Sequence, residues 1–403
     1  MSRLLFMTQR MLMGYGVERV LHEVSARLTR HGHEVFVLCN ETDESYRGSY
    51  RVIRLSRGTV NEVADLAAGL HPDAVVACTT PFFEMLPVLR HHHRTWAWEC
   101  GDPSPEFFPD DGDVRQRIKR NKIDFCYPVI EGIVAISEFI KSDIEWPDAR
   151  VVYCGCDHAP DLGSKGLQDV QMGREPLKVG TLMRLGKGEA SYKGNGLFLD
   201  LAKAAKNAGY PMDFFAMGRG TDEDARALRE AGCRVFLNAD DEEKWRYLRS
   251  LDVFVSCSLW EGFNLPLVEA QAVGTLGLAF DTGAHPEVCP MVFSSLRAVM
   301  DLLSALENDR GLLLRHSRAA YYYVRRRFLW DRSTSEFERH VLGVEGAPPA
   351  EAGTLDQTPQ ASCPSRISIL KYRIAAPVRS VRYEGLRATA LKVWRRIEGA
   401  IRR

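Results

Sequence analysis

The stretch that decides the fold is Asp252–Phe280, which reads DVFVSCSLWEGFNLPLVEAQAVGTLGLAF. It begins with a short apolar run, DVFVSCS, which is typical of a buried strand. The next segment, EGFNLPLVEA, predicts a loop that enters a helix, because Asn264 can cap a helix and Pro266 suits its first turn. The run TLGLAF predicts a second strand. A strand, a helix and a strand in this order predict one βαβ unit of a parallel sheet.

The same alternation of strand-like and helical segments continues on both sides of this unit. Before it come the runs RLLFMT, HEVFVLCN, DAVVAC, RTWAW and GIVAIS, and then, after a polar break near 157–175, LKVGTLM, MDFFAMG and CRVFLN. Such alternation is typical of an α/β protein whose parallel sheets carry helices on both faces. The sequence therefore predicts two Rossmann-like, doubly wound domains that face each other across a cleft.

The composition also predicts where these parts begin and end. We place the first domain at 1–160 and the second at 175–343, with its last helices packing back toward the first. Residues 344–365 are rich in Ala, Pro, Thr, Gln and Ser, which is typical of a flexible linker. Residues 366–403 are expected to form a separate basic amphipathic tail.

The charge of the chain is unevenly distributed, although its formal net charge is zero. Residues 366–403 contain eleven Lys or Arg against two Glu, a local charge of +9, which leaves −9 for the rest. From Tyr383 onward apolar residues recur every three or four positions among these bases, which predicts an amphipathic helix. Such a helix suits an anionic membrane surface, with Trp394 at the interface. It also suits docking on the acidic body or on a partner protein, whereas the acidic body disfavours nucleic acid as a partner.

The cysteine pattern and the N-terminus narrow the class of protein further. The ten cysteines are scattered, apart from Cys154 and Cys156, which we interpret as two buried thiols at a strand end. No pair has the spacing of a zinc site, and the D-x-D sequences at 111–113 and 222–224 are interpreted as acidic loops, not metal ligands. No stretch is long and apolar enough for a signal peptide or a membrane span. We therefore expect reduced thiols and a cytoplasmic protein, with the tail as a means of peripheral attachment to the inner face of the cell membrane.

Two glutamates flank the turn in the central stretch. Glu261 lies in the loop before the helix and Glu269 about one turn inside it, so both can face the cleft. The free N–H groups at the helix start favour an anion such as a diphosphate, and Gly262 lets a ligand approach the backbone closely. Carboxylates suit hydroxyl groups rather than phosphates. The pattern favours two acids that hold hydroxyls at opposite ends of a nucleotide-sugar, although a helix cap with an incidental exposed glutamate gives the same pattern.

Two cations follow the strand LKVGTLM. Arg184 comes directly after it and Lys193 nine residues later, at a strand-to-helix junction. A guanidinium fork and an ammonium group match the oxygens of a diphosphate and can stabilise its charge as it leaves. A solvated basic loop is the alternative, and Lys187 is a weaker candidate for the same role. At the first strand-to-helix turn, Gly14 and Gly16 permit a tight backbone at a helix start that also suits phosphate.

Together these motifs resemble those of the retaining GT-B glycosyltransferases of family 4. EGFNLPLVEAQAVGT resembles the family's E-G-F-G-L-P-x-x-E-A-x-A-x-G-x-P, and RL…YKG resembles its R-L-x-x-x-K-G, with a longer insert. GYGVERV, VAISEFIKSDI and VYCGCDHA resemble three further family motifs, so the resemblance covers roughly residues 1–343. It implies a nucleotide-sugar donor and no requirement for a metal or another cofactor.

The resemblance also implies roles for individual residues. Glu261 would lie beside the transferred sugar, and Glu269 would hold the ribose. Arg184 and Lys193 would hold the diphosphate. The residues whose main-chain N–H groups would face the donor are Phe263, Asn264 and Leu265.

One loop departs from the family pattern. Many relatives carry a histidine after the fourth N-terminal strand, whereas this chain reads WAWECGDPSPEFF, with Gly101 at that position. Glu99 and Asp102 are the nearby candidates to contact the acceptor or the sugar. The row His91–His93, at the other end of the strand, is interpreted as a solvated strand entry.

The resemblance thus implies a hexosyltransferase that moves a sugar from a UDP- or GDP-sugar to a hydroxyl acceptor. The expected acceptor is a glycan or a lipid-linked molecule in cell-surface polysaccharide or glycolipid synthesis. Two alternatives stay open: a soluble glycosyltransferase acting on a small metabolite or sugar, and a non-catalytic nucleotide-sugar-binding protein.

Overall fold

The computed structural model describes residues 1–166, 169, 175–186 and 192–344, and these residues form two parallel β-sheets. The first sheet has seven strands in the order β3-β2-β1-β4-β5-β6-β7, and the second has six in the order β10-β9-β8-β11-β12-β13. Every neighbouring pair in both sheets is parallel. Counted from its own first strand, each sheet begins with the order 3-2-1-4-5-6, which is the order of a doubly wound fold. The predicted fold class is therefore confirmed.

The strands of the first sheet are β1 Arg3–Met11, β2 Glu34–Thr42, β3 Arg51–Arg54, β4 Ala74–Ala77, β5 Thr95–Glu99, β6 Gly132–Ala135 and β7 Arg150–Val151. Those of the second are β8 Leu177–Leu182, β9 Met212–Gly218, β10 Arg234–Leu237, β11 Val253–Ser256, β12 Leu276–Phe280 and β13 Val292–Phe293. We call the parts of the chain around these two sheets the first lobe (3–151) and the second lobe (177–293).

The helices of the first lobe are α1 Gly16–Arg30, α2 Val60–Leu70, α3 Leu86–Leu89, α4 Gly112–Asn121 and α5 Glu138–Asp143, with short 3-10 or π turns at Phe82–Met85, Pro105–Phe107, Lys122–Cys126 and Tyr127–Val129. Those of the second lobe are α6 Asn195–Asn207, α7 Asp222–Glu230, α8 Asp241–Ser250, α9 Leu265–Ala272 and α10 His285–Val288. Three further helices follow: α11 Leu296–Asn308, α12 Arg310–Arg327 and α13 Trp330–Val341.

The central strands of both sheets are buried on both faces. All residues of β4, β5, β11 and β12 are buried, as expected for parallel strands covered by helices on each side. The long apolar runs, from which the sequence predicts strands, therefore form the cores of the two lobes.

The last helix, α13, packs on the first lobe rather than on the second. Phe337 stacks on Trp98 with ring centroids 4.8 Å apart, and the buried Glu338 accepts hydrogen bonds from His31 and His33 at 2.9 and 3.0 Å. Because α12 lies against α9 and β12 of the second lobe, the end of the described chain ties the two lobes together.

The lobes also touch near the carboxyl end of the first sheet. Glu287 of α10 accepts hydrogen bonds from the main-chain N–H groups of Glu138 and Phe139 at 2.9 and 2.8 Å, and from the hydroxyl of Tyr153 at 2.8 Å. A carboxylate at the start of α5 satisfies N–H groups that have no partner inside the helix. This contact fixes one side of the interface between the lobes.

The doubly wound order decides where a ligand can bind. In each sheet the connections reverse direction between the first and fourth strands, and open α/β sheets bind ligands beside the carboxyl ends of those strands. The turns that carry the predicted site follow β1, β8 and β11, which are three of the four strands at these positions.

The predicted tail at 366–403, and the predicted linker apart from Val344, lie outside the described residues. None of the helices that the structure describes combines the length and the apolar character that a bilayer-spanning segment needs.

Candidate active site

Lys193 and Glu261 form the centre of the site. The Nζ atom of Lys193 lies 2.9 and 3.0 Å from the two carboxylate oxygens of Glu261, and the two side chains are 22% and 10% exposed. Residues 192 and 193 lie against the loop after β11, where Leu259 N donates a hydrogen bond to Tyr192 O at 2.7 Å. The ring of Tyr192 in turn contacts Phe107 and Phe108 of the first lobe. The pair therefore lies where the two lobes meet.

The backbone of Glu261 is held by the next strand-to-helix turn. Ala284 N donates to Glu261 O at 2.9 Å. Gly283, at φ +56°, lies so close that a Cβ atom there would be 2.5 Å from Glu261 O and 2.7 Å from Glu261 N. The position of this carboxylate is thus set by a close contact between two turns, which only a glycine at 283 permits.

Asn264 caps α9, as the sequence predicts. Its Oδ1 accepts from Leu267 N at 3.2 Å, and its backbone is left-handed, at φ +70° and ψ 68°. The family motif has glycine here, and asparagine also tolerates this conformation. The Nδ2 group donates to His285 Nε2 at 2.8 Å, while His285 Nδ1 donates to Phe280 O at 2.7 Å. The Asn264 side chain therefore stabilises the turn, and only the main chain of this residue remains to face a nucleotide-sugar donor.

Gly262 and Phe263 pack against other parts of the protein. A Cβ atom at Gly262 would lie 2.4 Å from Cys100 O of the first lobe, and Gly262 O accepts from Ser137 Oγ at 2.7 Å. The glycine thus permits close approach of the backbone of the other lobe. The Phe263 ring is buried against Phe328 at a centroid distance of 5.3 Å, so its side chain belongs to the core.

Glu269 is buried and held by two partners. Its Oε1 lies 2.8 Å from His158 Nε2 and 3.2 Å from Lys244 Nζ. The indole of Trp330 donates to His158 Nδ1 at 2.9 Å; because an indole nitrogen can only donate, the ring proton of neutral His158 is on Nε2 and points at Glu269. Burial alone would raise the pKa of Glu269, but Lys244 and His158 outweigh it and lower the pKa to about 2.

This lowered pKa predicts a pH dependence of stability. The folded-state pKa of Glu269 is about 2 against an ordinary 4.5, so its ionised form stabilises the fold above pH 4.5 by about 3 kcal/mol, and this is lost as the pH falls toward 2. We expect the difference in free energy of unfolding between wild type and Glu269→Gln to shrink by about 1 kcal/mol between pH 6 and pH 3.5. Urea unfolding at both pH values measures it. Glu242→Gln, exposed on α8, is the control, and an equal change in both variants would contradict the assignment.

Arg184 and the two glycines of the first turn meet across the cleft. The Arg184 guanidinium lies 4.3 Å from the centre of the ring of Tyr15, which is the residue between Gly14 and Gly16 in the sequence. A Cβ atom at Gly16 would be 3.9 Å from Leu265 Cδ1, so the start of α1 faces the start of α9. The N-termini of two helices from different lobes thus lie close together, and each is suited to an anion.

The acceptor candidates Glu99 and Asp102 both bind Lys122. Its Nζ lies 2.8 Å from Glu99 Oε1 and 2.6 Å from Asp102 Oδ2, and Glu99 also accepts from the Tyr127 hydroxyl. Burial alone would lower the pKa of Lys122, but the two acids raise it above its ordinary value. The Glu99 side chain is 2% exposed and that of Asp102 47%. Glu99 is therefore a buried partner of Lys122 and cannot reach an acceptor, which leaves Asp102 as the accessible candidate.

Gly101, where many relatives carry histidine, has no room for a side chain. A Cβ atom there would lie 2.2 Å from Ile140 Cδ1 and 2.8 Å from Trp260 Cη2. Trp260 belongs to the second lobe and its indole nitrogen is buried without a hydrogen-bond partner among the described residues. The two lobes pack together here, so a histidine at this position would require Ile140 or Trp260 to move.

The other acidic and thiol motifs are structural. Asp111 and Thr221 precede α4 and α7, so the two D-x-D sequences, expected as loops, mark helix starts. Cys154 and Cys156 are buried, as predicted. Within the described part of the chain, no three His, Cys, Asp or Glu side chains are grouped to hold a metal ion.

Sequence analysis did not find four side chains of the site. Lys244 and His158 hold Glu269, and Arg10 and Arg219 lie beside Tyr15 with their guanidinium carbons 4.6 and 5.4 Å from its ring centre. Only His158 stood inside a quoted motif, VYCGCDHA. Arg10 is the next-to-last residue of β1 and Arg219 directly follows β9. Their position at the carboxyl ends of strands was the signal that could have indicated them.

Two family models match the chain. Residues 15–159 match the model described as Glycosyltransferase Family 4, and residues 179–299 match the one described as Glycosyl transferases group 1. The two matches cover most of both lobes and the turns that carry Arg184, Lys193, Glu261 and Glu269. No curated protein matches the chain in sequence.

Solved structures share the fold at low sequence identity. Anabaena HepE, solved in complex with UDP and glucose, superposes with a TM-score of 0.69 at 14% identity over 85% of this chain and 100% of that one. A sucrose-phosphate synthase from Thermosynechococcus elongatus gives 0.67 at 14% identity, over 84% and 98%. A glycosyltransferase from Rickettsia africae gives 0.64 at 15% identity, over 85% and 98%. The chain is therefore a GT-B glycosyltransferase and belongs to the group 1, family 4-like glycosyltransferases.

Proposed function

We propose that the protein is a retaining hexosyltransferase that uses a UDP- or GDP-sugar and a hydroxyl acceptor, in cell-surface polysaccharide or glycolipid synthesis. The observation that carries this proposal is a chain of contacts between the lobes: Arg184 lies against Tyr15 before α1, the start of α1 meets Leu265 at the start of α9, and Glu261, in the loop before α9, pairs with Lys193. Cations and helix N-termini suit a diphosphate, and carboxylates suit the hydroxyls on either side of it.

The proposed donor pose follows from this arrangement. Arg184 and Lys193 bind the diphosphate, with Gly14, Gly16 and the main chain of 263–265 around it. Glu261 accepts from a hydroxyl of the transferred sugar, and Glu269, fixed by Lys244 and His158, accepts from the ribose. The Anabaena HepE structure with UDP-glucose supports a nucleotide-sugar as the ligand class. No metal or other cofactor is part of the proposal.

The proposed reaction needs no protein nucleophile. The acceptor hydroxyl attacks the anomeric carbon from the face that the diphosphate leaves, so a new C–O bond forms as the bond to the phosphate oxygen breaks. That phosphate oxygen takes the hydroxyl proton. In this proposal Arg184 and Lys193 stabilise the charge on the leaving diphosphate, and Asp102 contacts the acceptor. Holding both substrates between the lobes supplies the orientation that the reaction needs.

A donor screen tests the proposal. We expect one of UDP- and GDP-hexoses to raise the melting temperature and to be hydrolysed slowly without an acceptor. NMR of the hydrolysis product should show the anomeric configuration of the donor. Absence of both binding and hydrolysis across these donors would refute the proposal, and inversion would refute its retaining part. Binding without hydrolysis or transfer would instead support the alternative of a non-catalytic nucleotide-sugar-binding protein.

We also propose that residues 366–403 bind an anionic membrane surface from the cytoplasm, which would give access to a lipid-linked acceptor. Support comes from the sequence, with its charge of +9 and amphipathic spacing; each basic residue near such a surface contributes about 1 kcal/mol. We expect the full chain to pellet with vesicles containing phosphatidylserine and a chain ending at Gly343 to stay in solution. Equal pelleting of the two would contradict membrane attachment and favour the soluble alternative, which acts on a small metabolite or sugar.

A further inference from the structure

The buried carboxylate of Glu269 is held through only one of its two oxygens. Its Oε1 lies 2.8 Å from His158 Nε2 and 3.2 Å from Lys244 Nζ, whereas Oε2 accepts no hydrogen bond from the described residues. The Glu269 side chain is 5% exposed, so the protein and not the solvent sets its orientation. The two groups that hold Oε1 therefore decide where Oε2 points, and Oε2 is the oxygen left for a ribose hydroxyl.

Lys244 is itself held by a carboxylate at the start of its own helix. Its Nζ lies 3.2 Å from Oδ1 of Asp241, the first residue of α8. The other oxygen, Oδ2, accepts a hydrogen bond from the guanidinium of Arg19 on α1. Burial alone would raise the pKa of Asp241, but Lys244 and Arg19 lower it, so this carboxylate is ionised near neutral pH. Asp241 therefore binds one cation from each lobe.

Arg19 is fixed on the first lobe by further contacts. Its guanidinium carbon lies 5.4 Å from the centre of the Tyr46 ring, and its Nη1 lies 3.5 Å from Glu23 Oε1. The Arg19 side chain is 14% exposed, which leaves it little freedom to follow a partner that moves away. Its bond to Asp241 can therefore form only where α1 of the first lobe and α8 of the second lie close together.

The second partner of Glu269 is also tied to the first lobe. His158 Nδ1 accepts from the indole of Trp330 at 2.9 Å, and Trp330 begins α13, the helix that packs on the first lobe. Trp330 N donates to Asp157 Oδ1 at 2.7 Å, and the other oxygen of Asp157 lies 3.4 Å from Arg27 of α1. Both groups that hold Glu269 Oε1 thus depend on contacts with the first lobe.

These contacts extend the proposed function, on which this step rests, because Glu269 is there proposed to hold the ribose. We propose that Arg19 and Asp241 are positioning residues for the nucleotide, which act through Lys244. They orient Glu269 Oε2 toward the ribose hydroxyls, so that recognition of the ribose depends on contact between the lobes, and neither residue needs to touch the nucleotide. Because coupling between two equilibria is reciprocal, a ribose bound to Glu269 in turn stabilises the Arg19–Asp241 contact.

Calorimetric titration with two nucleotides tests this role. The first is UDP or GDP, whichever binds the wild type more tightly, and the second is its 2′,3′-dideoxy form, which lacks both ribose hydroxyls. We expect the wild type to prefer the ribonucleotide by about tenfold or more. In Arg19→Gln and Asp241→Asn, the affinity for the ribonucleotide should fall by about fivefold, while that for the dideoxy form changes by less than about twofold. Arg19→Lys, which keeps the charge, should retain part of the preference.

Glu287→Gln is the matched control. It weakens a different contact between the lobes, the one to the main-chain N–H groups of Glu138 and Phe139, and should leave the preference for the ribonucleotide unchanged. Thermal unfolding shows whether each variant is folded. If Arg19→Gln does not fold, Arg19→Lys and Asp241→Asn still provide the comparison.

The outcomes separate this inference from the proposed function. A purely structural role of Arg19 would lower the affinity for both nucleotides equally. That result, or an equal loss of preference in Glu287→Gln, would overturn the inference and leave the proposed donor class standing. A wild type that binds both nucleotides equally well would overturn it as well, because Glu269 would then not bind the ribose hydroxyls. Failure of the wild type to bind either UDP or GDP would refute the proposed donor class, and the inference with it.

Discussion

Replacing Lys193 with alanine is expected to lower kcat by about 10²–10³-fold, because it removes a charge that stabilises the leaving diphosphate in the transition state. Lys193 Nζ is 2.9 Å from Glu261, so it lies beside the acid proposed to hold the transferred sugar. If its main interaction forms as charge develops, the dissociation constant for UDP or GDP should change much less than kcat. Steady-state kinetics and nucleotide calorimetry measure the two effects.

Two further variants separate catalysis from structure. Lys203→Ala, on the exposed face of α6, removes a lysine of the same region and should leave kcat unchanged. The double variant Lys193→Ala with Glu261→Gln shows how much of the loss comes from leaving a buried carboxylate without its partner, because coupled residues give non-additive effects. Wild-type turnover in Lys193→Ala, or a nucleotide affinity that falls as far as kcat does, would contradict the proposed role.

The sequence predicts those parts of the site that lie within one strand-turn-helix unit. The Asn264 cap, the strand before Glu261 and the helix that carries Glu269 all follow from local rules of periodicity and capping. Arg184 and Lys193 could be placed at a sheet edge for the same reason. These features depend on neighbours within about ten residues, so a single sequence contains their cause.

The remaining parts depend on contacts between distant segments. His158 is 111 residues from Glu269, and Lys244, on a different helix, is 25 residues away, so no local pattern indicates that they share a carboxylate. The partner of Gly262 is Cys100 in the other lobe, and a glycine in a motif does not reveal whether a ligand or a protein backbone approaches it. Glu99 shows the same limit, because its burial depends on Lys122, which follows a separate helix.

Gly194 links the fold to the site most directly, and Gly194→Ala is expected to destabilise the protein by about 3 kcal/mol. About 1 kcal/mol comes from the left-handed backbone at φ +74°. A further ~2 kcal/mol comes from overpacking, since a Cβ atom would lie 2.0 Å from Cys257 O, a backbone atom that can move only with β11. The shift would also separate Lys193 from Glu261, so turnover should fall with stability.

Gly209→Ala provides a control with the same backbone strain and free space. Gly209 has φ +70°, and a Cβ atom there would meet nothing within 4 Å. We expect a loss of about 1 kcal/mol and unchanged kcat. Urea unfolding and steady-state kinetics on both variants separate strain from the close contact. Equal stability of the two variants would mean that the loop after β11 absorbs the added methyl group. In that case the backbone contact at Cys257 would not be what holds Lys193 against Glu261.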